Sequence, residues 1–567
     1  MDTSADVEVD VVVIGAGASG MTAALVAARE GLSVLLVEKS EVLGGSTAYS
    51  GGVCWVPGSH LAQRAGVKDS PGKVWEYVTA CIGTHMDEAF VQRYLSIAPQ
   101  AFEYLEKNSE VAFSLRETTP DYFPQLPGGT MGGRALEILE FDARKLGKNI
   151  AHVRMPPPEY LVLGGMMVTV GDANKILSRY RSWAGFTHTA RLVTRYIMDR
   201  VTLNARGTRL AIGNAMVARL YASLLKLDVP VWRSAGVKAL LHDGLRVCGV
   251  ELTYQGALRK VRARKAVVLA TGGFPRNVEL RKQFFTDGAE VHTAAPESCT
   301  GDGIQLALSN GAAMGQRPAT PAFWSPVSRV ARKDGSSFNF PHLMMDRSKP
   351  GVIAVNQAGR RFVNESTNYH DFTQAMLKQK DAAGSVDAYL VSTQKYLDKY
   401  CFGMSHPSRR IQNALVARGY MSRGNTLAEL AQKIGVPDEA FRKTILEFNT
   451  NAERGVDPAF GKGSTGYNKA LGDPEHAPNP CIAPLSEGPY YAIRMQPGDI
   501  GTCYGLATDL NGRVLTDEKT VIEGLYACGN DMNSVMAGMY PGPGITLGPA
   551  LAFAYVAAMH IAENKIQ

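Results

Sequence analysis

Gly15, Gly17 and Gly20 stand at the spacing G-x-G-x-x-G, directly after an apolar run, and Glu38 closes a second apolar run further on. That set of residues can grip a nucleotide. Gly15 permits a tight turn, Gly17 lets backbone approach a pyrophosphate, and Gly20 lets a helix pack closely on the strand. Ala18 and Ser19 then open a helix whose unpaired N–H groups meet phosphate oxygens. Glu38, with Lys39 beside it, stands where a ribose hydroxyl would be held. Glycine triplets also occur in ordinary turns. Here the apolar strand before and the acid after distinguish a binding grip from a turn.

The continuation points to FAD rather than NAD. Gly44, Gly45, Ser46 and Thr47 follow the second strand, then Ser50, Gly51 and Gly52, small residues that let the chain lie along a cofactor. More of the cofactor wall is expected from distant segments. AVVLATGGF brings Ala270, Thr271 and Gly272; Thr300 or Asp302 can cap the helix of GDGIQLAL; and GLYACGN brings Gly529 and Asn530. Gly544, Thr546 and Leu547 open the last long helix, and Val237 is expected to add an apolar contact.

Segments of this kind at both ends and in the middle of the chain predict a discontinuous cofactor domain. The fold class is α/β, a Rossmann-like FAD-binding domain with an inserted α+β catalytic domain. A length of 567 residues calls for at least two domains. The expected parts are residues 1–312, with a helical insertion at 135–230, then 313–483 as the catalytic domain, and 484–567 as the returning cofactor part. The active site belongs in the cleft between them.

Composition narrows the classes. Hydrophobic content of 45% and charged content of 20% are ordinary for a globular enzyme. The net charge of +7 is small for this length and no basic stripe accompanies it, which argues against nucleic acid. The eight cysteines lack zinc or disulfide spacing and are expected as reduced thiols, and no metal site is expected. The nucleotide strand starts too near Met1 for a secretion signal, and no apolar run suits a spanning helix, so the cytoplasm is the expected compartment.

Within the insertion, residues 191–210 and 214–227 read as amphipathic helices. The apolar segment MPPPEYLVLGGMMVTV, residues 155–170, has two readings: a hairpin packed on the protein, or a loop that touches a membrane surface or lines entry for an oily substrate.

Taken together, the cofactor segments resemble the flavoprotein family of fumarate reductase, succinate dehydrogenase and the 3-ketosteroid dehydrogenases. Covalent members bond flavin to a histidine after the second strand. GGSTAYSGG has none, so the resemblance implies noncovalent FAD. The fumarate enzymes hold their dicarboxylate with a histidine and arginines, and Tyr369 stands in the slot of the proton-delivering arginine. The corresponding stretches here are GTCYG and YPGPG, without histidine or arginine. Two carboxylates would therefore enter without a cationic partner, at a cost of several kcal/mol.

YPGPG, a tyrosine after the NES triplet and the loop PDYFPQLPGG instead match the pattern of 3-ketosteroid 1-dehydrogenases. By that resemblance Tyr540 and the Gly544 amide polarise a ketone at carbon 3, Tyr369 takes a proton from carbon 2, Tyr122 supports Tyr369, and flavin takes hydride from carbon 1. The implied partner is a 3-ketosteroid, with the later electron acceptor unassigned. Phe323, Trp324 and Phe338 can line a steroid pocket or be plain core. Three alternatives stay open: a reductase of the same fold acting on an enone or enoate, a 4(5)-desaturase, and a noncatalytic flavin electron carrier.

Overall fold

The computed structural model describes residues 6–563, apart from residues 178, 180, 181, 203–205, 287, 289, 291, 333, 345 and 381–383. Strand β1 (Val7–Ile14), helix α1 (Ala18–Arg29) and strand β2 (Val34–Val37) form the first βαβ unit, with Val11 to Ile14 paired in parallel with Val34 to Val37. The two runs are apolar throughout because both faces of the sheet are covered. Val12, Val13, Leu36 and Val37 are fully buried.

Around this unit the parallel strands run in the order Val521–Ala527, Ala257–Leu269, β1, β2, Val231–Trp232. Apart from β1 and β2, strands that are neighbours in this sheet are thus far apart in sequence. A meander joins this sheet: Gly236–Asp243 and Arg246–Tyr254 turn back antiparallel into Ala257–Leu269. The terminal helix Leu547–Glu563 lies on α1, and small residues on both, among them Ala23, Ala27, Ala554 and Ala558, let the axes approach.

A second, antiparallel sheet runs Ser337–Pro341, Ala322–Ala331, Tyr490–Thr502, Ala388–Thr393, Val352–Asn356. Helix Tyr369–Leu377 packs on its Ala322–Ala331 strand. The strand Tyr490–Thr502, beyond the expected boundary at 483, is central to this sheet. Its Asp499 also forms a fully buried ion pair of 2.6 Å with Arg281, on the helix Val278–Phe284 that precedes the insert.

In the 135–230 region the helices are Trp183–Val201 and Ile212–Lys226. The first starts well before the expected residue 191, because Ser182 caps it by accepting from the Gly185 N–H. It does not extend to residue 210: Arg209–Leu210 pairs as a strand with Phe141–Asp142. The 155–170 segment folds back on itself through a Val162–Met166 bridge, with Leu163 at a positive φ of 52°. Met166 and Met167 are buried, and the Tyr160 ring lies against Phe338 and Phe340. Most of this apolar run is therefore packed on protein. Among the described residues no helix is long and apolar enough to cross a membrane.

Candidate active site

One cavity, of about 460 Å³, lies where the two sheets meet, a size usual for a small-molecule site. Its wall at the parallel sheet is built by the glycine turn. A Cβ at Gly15 would sit 2.3 Å from the Ala270 carbonyl oxygen, and one at Gly20 only 1.8 Å from that of Gly15, so these two glycines are required for packing. Gly17 differs. A Cβ there would meet nothing nearer than Thr47 Oγ1 at 3.9 Å, so the space beside it belongs to the cavity.

The polar groups of this wall are already oriented. Glu38 accepts from the Ala16 and Ser40 N–H groups, both at 2.9 Å, and the Thr47 hydroxyl accepts from the Ala18 N–H at 3.0 Å. The Gly17 N–H has no partner among the described residues and remains available to an anion. Lys39 pairs with Asp302 at 2.8 Å and also reaches Thr300. Ser19, Gly45, Ser46, Ser50, Gly51, Gly52, Val237, Ala270, Thr271, Gly272, Gly529, Asn530, Thr546 and Leu547 line the same cavity. Gly20 and Gly44 do not: Gly20 is pressed on Gly15, and Gly44 on Val217.

Asp531 is a residue that motif reading passes over. Fully buried, it accepts from the N–H groups of Thr271 and Gly273 at 2.5 and 2.8 Å, tying the carboxyl-terminal segment to the ATGG turn. A lone Asp inside GLYACGND carries no periodic or spacing signal, so only the fold reveals it.

Across the cavity four tyrosine rings form one cluster. The Tyr122 hydroxyl donates to the Tyr369 hydroxyl at 3.1 Å. Tyr540 stacks on Tyr122 at 5.4 Å between centroids and stands edge-on to Tyr369 at 5.1 Å, while Tyr467 closes on Tyr122 at 5.1 Å. Tyr122, Tyr369, Tyr540 and Gly544 all line the cavity, so the expected constellation is brought together. The Gly544 N–H makes no hydrogen bond among the described residues. Phe323 also lines the cavity, whereas Trp324 and Phe338 are core.

Burial dominates the phenols. It pushes Tyr122 and Tyr369 well above the ordinary range, and Tyr540 up to about 12, with the Tyr369 and Thr546 hydroxyls holding Tyr540 down. The tyrosine pair by itself therefore does not ease ionisation, and all three are neutral at pH 7. His370, behind Tyr540, accepts from the Trp324 N–H at 3.1 Å through Nδ1, and burial pulls its ring down to about 3.

Two buried networks fix the tyrosines. Asp121 accepts from Trp55 Nε1 at 2.8 Å and from Arg134 at 2.7 Å, and Arg134 continues to Asp69. Next to it the Tyr122 N–H donates to the Pro541 carbonyl at 2.9 Å, so the PDY loop is bound to the YPGPG turn. Arg347 donates to four backbone carbonyls, those of His342, Leu343, Glu365 and Thr367, at 2.7 to 3.1 Å. These anchor the turn that enters the Tyr369 helix.

The glycine cradle fits FAD. Residues 10–547 match the FAD binding domain family. The chain belongs to that family. It is an FAD-dependent oxidoreductase by its relatives as well as by its cleft. One relative is 4-oxocyclohex-2-ene-1-carboxylate 5-dehydrogenase of Sinomonas cyclohexanicum, 37% identical over 98% of this chain and 94% of that protein. Another is 3-oxosteroid 1-dehydrogenase of Mycolicibacterium smegmatis, 36% identical over 98% of both. Among solved structures, 3-ketosteroid delta1-dehydrogenase from Sterolibacterium denitrificans in complex with 1,4-androstadiene-3,17-dione is 36% identical, with a TM-score of 0.91 over 98% of this flavoprotein and 100% of that chain.

Proposed function

We propose that this flavoprotein dehydrogenates 3-ketosteroids between carbons 1 and 2. The observation that carries the reading is the neutral phenol cluster around Tyr122, Tyr369 and Tyr540, with the Gly544 N–H, unpaired among the described residues, on the same cavity wall. Such a wall suits an uncharged ketone. Tyr540 hydroxyl and the Gly544 N–H hold the carbon 3 oxygen, and each donor contributes about 3–4 kcal/mol to lowering the barrier as enolate charge develops. That charge makes the carbon 2 hydrogen acidic, and Tyr369 takes it as the phenolate, having first released its own proton to solvent, with the Tyr122 hydroxyl donating to the Tyr369 oxygen. The glycine turn, Glu38 and the Gly544–Leu547 turn would hold FAD, which when bound would supply an acceptor for the carbon 1 hydride.

The similarity to an oxocyclohexenecarboxylate dehydrogenase raises a second substrate class. Two basic side chains stand on the described cavity wall, Lys39 and His342, and each is already held by a carboxylate, Asp302 and Asp346 respectively. A substrate carboxylate would find no free cation there, which supports the steroid.

Anaerobic mixing of the yellow protein with androst-4-ene-3,17-dione tests the reading: flavin absorbance bleaches and the 1,4-diene-3,17-dione forms. Bleaching by 4-oxocyclohex-2-ene-1-carboxylate but not by the steroid would reassign the substrate. No bleaching by either ketone would leave a flavin carrier.

A further inference from the structure

We propose that Tyr160 donates a hydrogen bond to an oxygen at carbon 17, the end of the steroid away from the phenol cluster, and so selects 3-ketosteroids that are oxygenated there. With the carbon 3 oxygen held by Tyr540 and Gly544, the reading on which this one rests, the rigid ring system must carry its carbon 17 oxygen to another part of the wall. A hydrogen-bond donor is needed at that second place.

The chain holds Tyr160 firmly. Pro156, Pro157 and Pro158 precede it, and their fixed φ stiffens the approach. The turn Pro158–Tyr160 closes with the Tyr160 N–H donating to the Pro157 carbonyl at 2.9 Å. Glu159 accepts two hydrogen bonds of 2.8 Å from Arg332, a bidentate pair that ties the turn to the second sheet. The Tyr160 ring stands edge-on to Phe338 and Phe340, at 5.7 and 6.1 Å between centroids. These contacts leave its hydroxyl free: it makes no hydrogen bond among the described residues, and the residue lines the cavity. Burial, with Tyr49 and Glu159 nearby, raises the phenol well above its ordinary range, so it stays protonated and can donate.

The neighbouring wall offers no competing donor. Phe340, Leu343 and Met344 are apolar, and His342 is engaged by Asp346 at Nδ1 and by Ser328 at Nε2, at 2.5 and 2.8 Å. Tyr49 also lines the cavity, but it ends the Gly45–Tyr49 turn, beside Ser46, Thr47 and Ser50 of the cofactor wall. Among the described residues the ring contacts of Tyr160 are with Phe338 and Phe340, not with Tyr122, Tyr369, Tyr467 or Tyr540. It therefore stands apart from the proton-transfer site. A ketone at carbon 17 accepts from this phenol, and a hydroxyl there can accept as well. A plain hydrocarbon leaves the phenol unpaired, which is how a polar group in a pocket rejects an analogue that lacks its partner.

Androst-4-ene-3,17-dione and androst-4-en-3-one differ by that oxygen alone, and comparing them in wild type and in Tyr160→Phe closes a double-mutant cycle. Phenylalanine keeps the ring packing on Phe338 and Phe340. Anaerobic stopped-flow mixing gives a dissociation constant for each steroid from the concentration dependence of flavin reduction. The ratio of constants, monoketone over dione, should be roughly five- to tenfold larger in wild type than in the variant, the worth of one hydrogen bond. The weakening should fall on the dione. Equal ratios in the two proteins overturn the assignment. So does a variant that binds both steroids more weakly by one factor, which is a packing loss, or a ratio that collapses in Tyr49→Phe instead. Failure of both steroids to bleach the flavin would overturn the dehydrogenation reading alone, because flavin difference spectra then supply the same four constants and decide the carbon 17 contact separately.

Discussion

At the scale of single residues the site divides its labour between phenols and one amide. Tyr369→Phe is expected to keep FAD and slow flavin reduction by roughly 100-fold or more, the range for losing a positioned base, measured by stopped-flow absorbance. The buried phenol ionises only well above the ordinary range, and proton abstraction needs its deprotonated form. The wild-type reduction rate should therefore climb with pH through the neutral and alkaline range without a plateau near 7, and this climb should vanish in the Phe variant. Tyr540→Phe removes a donor to the developing enolate, and a fall of roughly 100- to 1,000-fold in the reduction rate is expected. Unchanged steroid affinity by flavin difference spectra would separate that loss from poor binding. Glycines give a sharper contrast. Gly17→Val has room against the protein and should fold yet lose flavin, whereas Gly20→Ala drives a methyl into the Gly15 carbonyl and should lower soluble yield itself. Flavin absorbance per folded protein, the latter read by circular dichroism, distinguishes the two.

Between the residues and the fold lie the turns that carry the tyrosines. Tyr122 and Tyr540 stack because the PDY loop is bonded to Pro541 and braced by the Asp121–Arg134 pair, both buried. Asp121→Asn leaves Arg134 with Asp69 as its one carboxylate among the described residues, beside the Gly128 carbonyl, and a loss of about 3 kcal/mol is expected, the lower end for breaking a buried pair. Equilibrium unfolding in urea measures it. Flavin reduction should fall as well, since the Tyr122 ring loses its brace. The first βαβ unit was legible in the sequence because its glycine spacing and apolar runs are local properties, and the tyrosine motifs because they are short and contiguous. Asp531 and Tyr467 were not, since each acts through backbone groups or rings far away in sequence, nor was Arg347, whose partners are backbone carbonyls that carry no residue-type signal. The start of the Trp183 helix was missed because Trp183, Ala184 and Phe186 show no inward periodicity. Their apolar side chains face outward, and a pattern-based boundary assumes they do not.

Over the whole molecule, the cofactor wall gathers segments from both ends and the middle of the chain around one parallel sheet, while the helix packed on the second sheet supplies Tyr369 from across the cleft. FAD therefore links parts that are separate in sequence. Binding to the folded state alone should raise stability by about 2.7 kcal/mol at a free FAD concentration 100-fold above the dissociation constant, checked as a rise in thermal midpoint on titrating FAD into stripped protein. The strand Val521–Ala527 completes the parallel sheet beside Ala257–Leu269, and Thr546 and Leu547 form a wall that α1 faces. During synthesis the glycine turn emerges early, hundreds of residues before those partners. A nascent chain halted anywhere short of them holds only part of the cradle, so flavin capture waits on synthesis of the Gly544–Leu547 segment.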